Sequence, residues 1–74
     1  MAIEAEVFGA LLPKEKRQQT IDTQKPLAVG QIVSRLGLEP EEIGLATIDG
    51  VQSRLEDVVA PGSRLCLFPP MSGG

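Results

Sequence analysis

Histidine, tyrosine and tryptophan are absent from this chain, and Cys66 is its only cysteine. A cysteine-histidine pair, an imidazole-based triad and a typical zinc site are therefore not expected, and the usual catalytic sets are missing. One cysteine forms no internal disulfide, and no charged-then-apolar signal segment opens the chain. No apolar run approaches the ~20 residues that span a bilayer. Positive charge is scarce as well: seven lysines and arginines stand against ten carboxylates, a formal net charge of −3. Such a surface argues against nucleic acid, whose phosphates require cations, and favours partners with basic patches. A cytoplasmic, membrane-free placement is the simplest expectation. At 74 residues the chain is one domain at most. It buries only about 60% of the surface its unfolded form exposes, which leaves little volume for a deep active site.

What is present reads as short elements joined by sharp turns. From Ala2 to Phe8, Ile3, Ala5 and Val7 alternate with Glu4 and Glu6, the period of a half-buried strand. A long loop from Gly9 to Gln19 follows, with Leu11 and Leu12 expected to fold back on the core and the charged stretch expected to stay in water. Within it Lys14, Lys16 and Arg17 are either a docking patch or an ordinary solvated run. A short strand around Thr20 to Thr23 would complete a first hairpin. After Pro26, residues Val29, Ile32, Val33 and Leu36 recur at the spacing that puts all four on one helical face. Pro26 suits the first helical turn and Gly37 the left-handed position just past the last. Gly30 inside the helix costs roughly 1 kcal/mol relative to alanine, so tertiary packing must hold it.

Leu38 to Ile43 predicts a turn or a single helical turn with exposed acidic residues. Asp49-Gly50, between Leu45–Ile48 and Val51–Gln52, predicts a type I′ hairpin turn, because both residues accept positive φ. Leu55 to Val59 suggests a short helical turn tucking its apolar residues under the sheet. Pro61-Gly62 fits the centre of a type II turn feeding a last strand, Arg64 to Phe68. There Leu65 and Leu67 share one face, Cys66 and Phe68 the other. This order is that of an α+β β-grasp domain: a mixed sheet of four to five strands over one main helix, residues 1–68, with an extended tail, residues 69–74.

If Leu65 and Leu67 pack on the helix, Phe68 points to the open face, either as a partner anchor or as a cover for the sheet edge. Cys66 reads as a small apolar filler, since no histidine or cationic cluster is placed to activate its thiol. In the tail, Pro69 and Pro70 cannot donate the hydrogen bonds that would keep it in a sheet, and Gly73-Gly74 removes the last side chains. Extension at roughly 3 Å per residue from Phe68 gives a reach of about 18 Å. The carboxylate of Gly74 is the candidate functional group.

Several segments, Leu38-Glu39-Pro40-Glu41-Glu42-Ile43-Gly44, Ile48-Asp49-Gly50, Pro61-Gly62-Ser63-Arg64-Leu65 and above all Leu67-Phe68-Pro69-Pro70-Met71-Ser72-Gly73-Gly74, resemble the ThiS/MoaD family of ubiquitin-like sulfur carriers. The paired prolines resemble the molybdopterin-synthase small subunit (MoaD-like) more than the thiamine-pathway carrier. The resemblance implies a non-catalytic carrier with no bound cofactor, whose Gly74 is adenylated by an ATP-using, MoeB/ThiF-like activating enzyme and converted to a thiocarboxylate. It implies delivery to a MoaE-like synthase large subunit or another sulfur-accepting enzyme. Gly74 would be the modified residue and Gly73 its required neighbour. Ser72 and Met71 would complete a tail stiffened by Pro70 and Pro69, with Phe68 a partner contact. Thiamine, tungsten-cofactor, tRNA or amino-acid thiolation are alternative destinations. A ubiquitin-like modifier, joined to lysine through Gly74, and a plain interaction module are alternative roles.

Overall fold

The computed structural model describes residues 1–71 of the chain. In order along it run β1 (Ala2–Val7), β2 (Gln18–Asp22), β3 (Leu27–Ala28), α1 (Val29–Arg35), β4 (Leu45–Ile48), β5 (Val51–Ser53), β6 (Val58–Val59) and β7 (Arg64–Phe68). Single 3₁₀ turns form at Lys14–Lys16 and Pro40–Glu42. Five strands make one sheet in the order β2-β1-β7-β4-β5, while β3 and β6 pair as a separate ribbon. The β1–β7 pair is parallel and the other pairs of the sheet are antiparallel. With α1 packed through Val29, Ile32 and Val33 onto the inner face of the sheet, this is the β-grasp arrangement that the order of elements predicts.

Register decides which residues reach the core. Ala5 lies opposite Leu65 and Val7 opposite Leu67 across β1–β7, and Ala46 lies opposite Leu67 across β7–β4. All five are buried against the helix. Full burial of a leucine or valine contributes about 1.5–3 kcal/mol, and a one-residue slip would turn every one of these side chains into water. The central strand is therefore pinned on both sides.

The helix keeps the predicted face but starts later than Pro26 suggests. Leu27 and Ala28 pair with Val59 and Val58 as extended ribbon, and α1 begins at Val29 with Ala28 as its N-cap. Alanine brings no capping oxygen, so the unpaired amides find other acceptors. Ala28 N–H donates to Gln31 Oε1 at 2.8 Å, and Val29 and Gly30 donate to the carbonyls of Asp57 and Leu55, each at 2.9 Å. At the other end Gly37 adopts φ 81°. Its N–H donates to Ser34 O at 3.0 Å and that of Leu38 to Val33 O at 3.1 Å, a Schellman closure that buries Leu38.

Two further expectations need correction. Leu55 to Val59 is not a helical turn. Arg54 N–H donates to Asp57 Oδ2 at 2.8 Å, the chain turns, and Val58–Val59 forms β6. Only Val59 is buried there, whereas Leu55 and Val58 are exposed. The first loop also departs from a uniformly solvated run. Leu11 and Leu12 pack on the core as expected and Lys14 and Lys16 are exposed, but Arg17 folds back, its Nε donating to Leu12 O at 3.2 Å. The second strand begins at Gln18, two residues before the expected Thr20, and pairs Ile21 with Ile3.

The predicted turns form. Asp49 and Gly50 take φ 50° and 84° between β4 and β5. Ser63 N–H donates to Ala60 O at 3.0 Å around Pro61-Gly62, with Gly62 at φ 94°, the geometry of a type II turn. No helix among the described residues is long and apolar enough to cross a membrane.

Candidate functional site

The last strand, β7, runs up the middle of the sheet and ends between β1 and β4. Because β1 is parallel to it and β4 antiparallel, the end of β1 and the start of β4 meet at the same edge. There Phe8 N–H donates to Leu67 O at 2.9 Å, and Gly44 N–H donates to Phe68 O at 2.8 Å. The chain past Phe68 thus leaves from a position held on both sides.

Alternation along β7 sends Leu65 and Leu67 to the core and Arg64, Cys66 and Phe68 to the open face. The register that sets Val7 beside Leu67 carries Phe8 to Phe68 one residue on. The two rings stack with centroids 4.6 Å apart and planes inclined at 11°. Phe68 therefore sits on the open face, as its parity predicts, and is covered on one side by a neighbour that sequence reasoning did not single out. The signal existed in the numbering: Phe8 continues the Glu4–Glu6 side of β1, and a parallel neighbour brings it beside Phe68.

Along this edge Gly44, Leu45, Phe68, Pro69, Pro70 and Met71 line an open apolar groove of about 440 Å³. Leu45 across the β4–β7 ladder faces Phe68 and is 37% exposed, and Met71 is 95% exposed. The opposite end of the open face is polar. Thr20 Oγ1 donates to Glu4 Oε1 at 3.1 Å, and Arg64 forms an ion pair with Glu6. Cys66 lies half-buried between the two halves, opposite Glu6 and Thr47 in register. The open face is thus divided into a charged half near the turns and an apolar half beside the tail.

Of the residues the sequence nominates, Phe68, Pro69, Pro70 and Met71 come together at this edge. Ser72, Gly73 and Gly74 lie outside the described residues. Lys14, Lys16 and Arg17 are not part of the groove lining, and Glu39, Glu41 and Glu42 are exposed on the 3₁₀ turn and its cap just before Gly44.

A mixed five-stranded sheet over one helix, with a C-terminal arm leaving the central strand, defines a ubiquitin-like β-grasp protein. No protein-family model and no curated protein matches the chain. Solved structures do. SAMP1 from Haloferax volcanii is 25% identical over 100% of both chains, with a TM-score of 0.70. A second crystal structure, of the H. volcanii small archaeal modifier protein 1, is 23% identical over 95% of this chain and 98% of that one, TM-score 0.71. The solution structure of Urm1 from Trypanosoma brucei is 14% identical over 99% and 95% of the two chains, also at 0.71. The likeness spans 95% or more of this chain in each case and lies in the fold.

Proposed function

We propose that this chain is a sulfur carrier of the ubiquitin-like kind, activated at the carboxylate of Gly74. The observation that carries the reading is the placement of the arm: Pro69 and Pro70 leave the central strand beside an exposed apolar edge built from Phe8, Leu45, Phe68 and Met71. An apolar patch of this kind marks a site where a partner docks, and here docking would set the terminal carboxylate against the partner's active site.

The chemistry follows from the weakness of a carboxylate as an electrophile. In the activating enzyme, a carboxylate oxygen of Gly74 attacks the α-phosphorus of ATP and pyrophosphate leaves. Sulfur at the sulfide level, as HS⁻, then attacks the acyl carbon, AMP leaves with the C–O bond electrons, and loss of the sulfur-bound proton gives the thiocarboxylate. The carrier supplies the substrate and the partner supplies the catalysis. The activating partner is of the MoeB/ThiF type. The Phe68-Pro69-Pro70 sequence favours molybdopterin synthesis as the destination of the sulfur, with a MoaE-like large subunit as acceptor. Glycine at both final positions supports passage through a narrow channel, because no Cβ obstructs the backbone.

A second reading, a modifier joined to lysine through Gly74, is favoured by the likeness to the H. volcanii small archaeal modifier protein 1. Intact-mass measurement of the chain from its native cell separates the two. Replacement of one oxygen by sulfur is expected for a carrier, and attachment to larger proteins for a modifier. An unmodified chain under conditions that demand the product, or full pathway function after removal of Gly73 and Gly74, would refute both.

A further inference from the structure

Among the described glycines, Gly44 alone lacks a positive φ and yet leaves no room for a Cβ. Gly37 and Gly50 hold positive φ and have nothing within 4 Å of a built Cβ, so the angle alone accounts for them. Gly44 is not among the glycines of positive φ, and its backbone would accept alanine. Space would not: a Cβ there would overlap Pro70 Cα and lie 2.7 Å from both Pro69 O and Pro70 N. These are backbone atoms, which cannot swing aside as a side chain can. On the other flank a Cβ at Gly9 would lie 2.7 Å from Pro69 Cγ and 3.2 Å from its Cδ. The first proline rests its ring on Gly9 while the Pro69-Pro70 backbone rests on Gly44.

We propose that Gly9 and Gly44 form a saddle that fixes the direction in which the C-terminal arm leaves the sheet, and that both are positioning residues for the chemistry at Gly74. This rests on the activated-terminus reading above. The pivot of the arm is then Pro70 rather than Phe68. The four residues from Met71 to Gly74 span at most about 14 Å when fully extended, against about 22 Å for the six counted from Phe68. An activating partner docked on the Phe8–Phe68 edge must therefore hold its nucleotide within the shorter radius and on the side toward which the saddle aims. Proline's fixed φ carries that aim forward at little entropic cost.

The contact itself is tested in the free protein by a nuclear Overhauser cross-peak between the Hα protons of Gly44 and Pro70. It is expected in the wild type and absent in Gly44→Ala, and its absence in the wild type overturns the saddle. The consequence is tested by ATP–pyrophosphate exchange with the adenylating enzyme of the source cell. With the arm freed from its seat, Gly44→Ala is expected to lower kcat about tenfold with KM for the chain within about twofold, since docking survives and only the productive orientation is lost. Pro69→Gly lies beyond β7, leaves the core untouched and should lower kcat in the same way. Unchanged kcat in both variants, or a rise in KM alone, overturns the positioning role. Absence of exchange by the wild-type chain would instead refute the reading of Gly74, and the cross-peak would then decide the saddle by itself.

Discussion

Truncating the two stacked rings one at a time and together tests whether the edge beside the arm is a single unit. With centroids 4.6 Å apart and an 11° inclination, the Phe8–Phe68 pair should contribute about 1 kcal/mol beyond the area each ring buries. Both side chains are half-buried, so each alanine substitution should cost about 2 kcal/mol, below the ~3–5 kcal/mol of a fully buried phenylalanine. The double variant should cost about 3 kcal/mol rather than 4, because the stack is lost only once. A small domain has about 5 kcal/mol to lose, so every variant stays folded in the absence of denaturant. Urea unfolding of the wild type, Phe8→Ala, Phe68→Ala and the double variant gives the coupling directly. In a calorimetric titration against the adenylating partner, Phe68→Ala should also lose about 2 kcal/mol of affinity, roughly thirtyfold. Stabilities that add to within about 0.3 kcal/mol would refute the stack as a coupled unit. Unchanged affinity of Phe68→Ala would remove this edge as the docking site.

Substitutions at three other positions probe the frame around it. Asp49 holds φ 50° and accepts Arg64 N–H at 2.8 Å through Oδ1. Asp49→Gly should thus cost about 1 kcal/mol for the lost acceptor and Asp49→Ala about 1 kcal/mol more for left-handed strain; equal melting temperatures for the two would eliminate the strain contribution. Gly30→Ala should stabilise the protein by up to about 1 kcal/mol, since a Cβ there meets Leu55 O at 3.5 Å and Leu55 Cβ at 3.8 Å, ordinary contact distances; a lower urea midpoint would show that the helix start tolerates no added carbon. Cys66→Ala should still be converted to the thiocarboxylate, as read by intact mass, and a folded but unconvertible variant would make the thiol a participant.

Strict alternation made β1 and β7 legible, and the Asp-Gly and Pro-Gly pairs made both turns legible, because positive φ restricts the residues that can serve there. The helix face was legible from spacing, its start was not. Pro26 is suited to a first turn, but the extended pairing of Leu27 and Ala28 with Val59 and Val58 delays the helix, and no local residue announces a partner some thirty positions away. Leu55, Val58 and Val59 mislead for a related reason: their spacing fits a helical turn, yet two adjacent valines also suit a strand, and so short a run contains no period to arbitrate. At the edge beside the arm, Phe68 and the prolines stood out by type. Phe8 required knowing that β1 and β7 run parallel, and Gly44 appears in the sequence only as the end of a family-like segment, because nothing there reports what lies against it.

Across the parallel β1–β7 pair Glu4 is matched to Arg64 and Val7 to Leu67, so the strand that bears the arm closes the sheet against the first strand of the chain. Such non-local closure is the slow part of assembling a small domain. A half-formed sheet has no seat for the prolines and no stacked rings beside them. The seating of Pro69 and Pro70 at the sheet edge is in this way made contingent on completion of the whole domain, a form of quality control written into strand order.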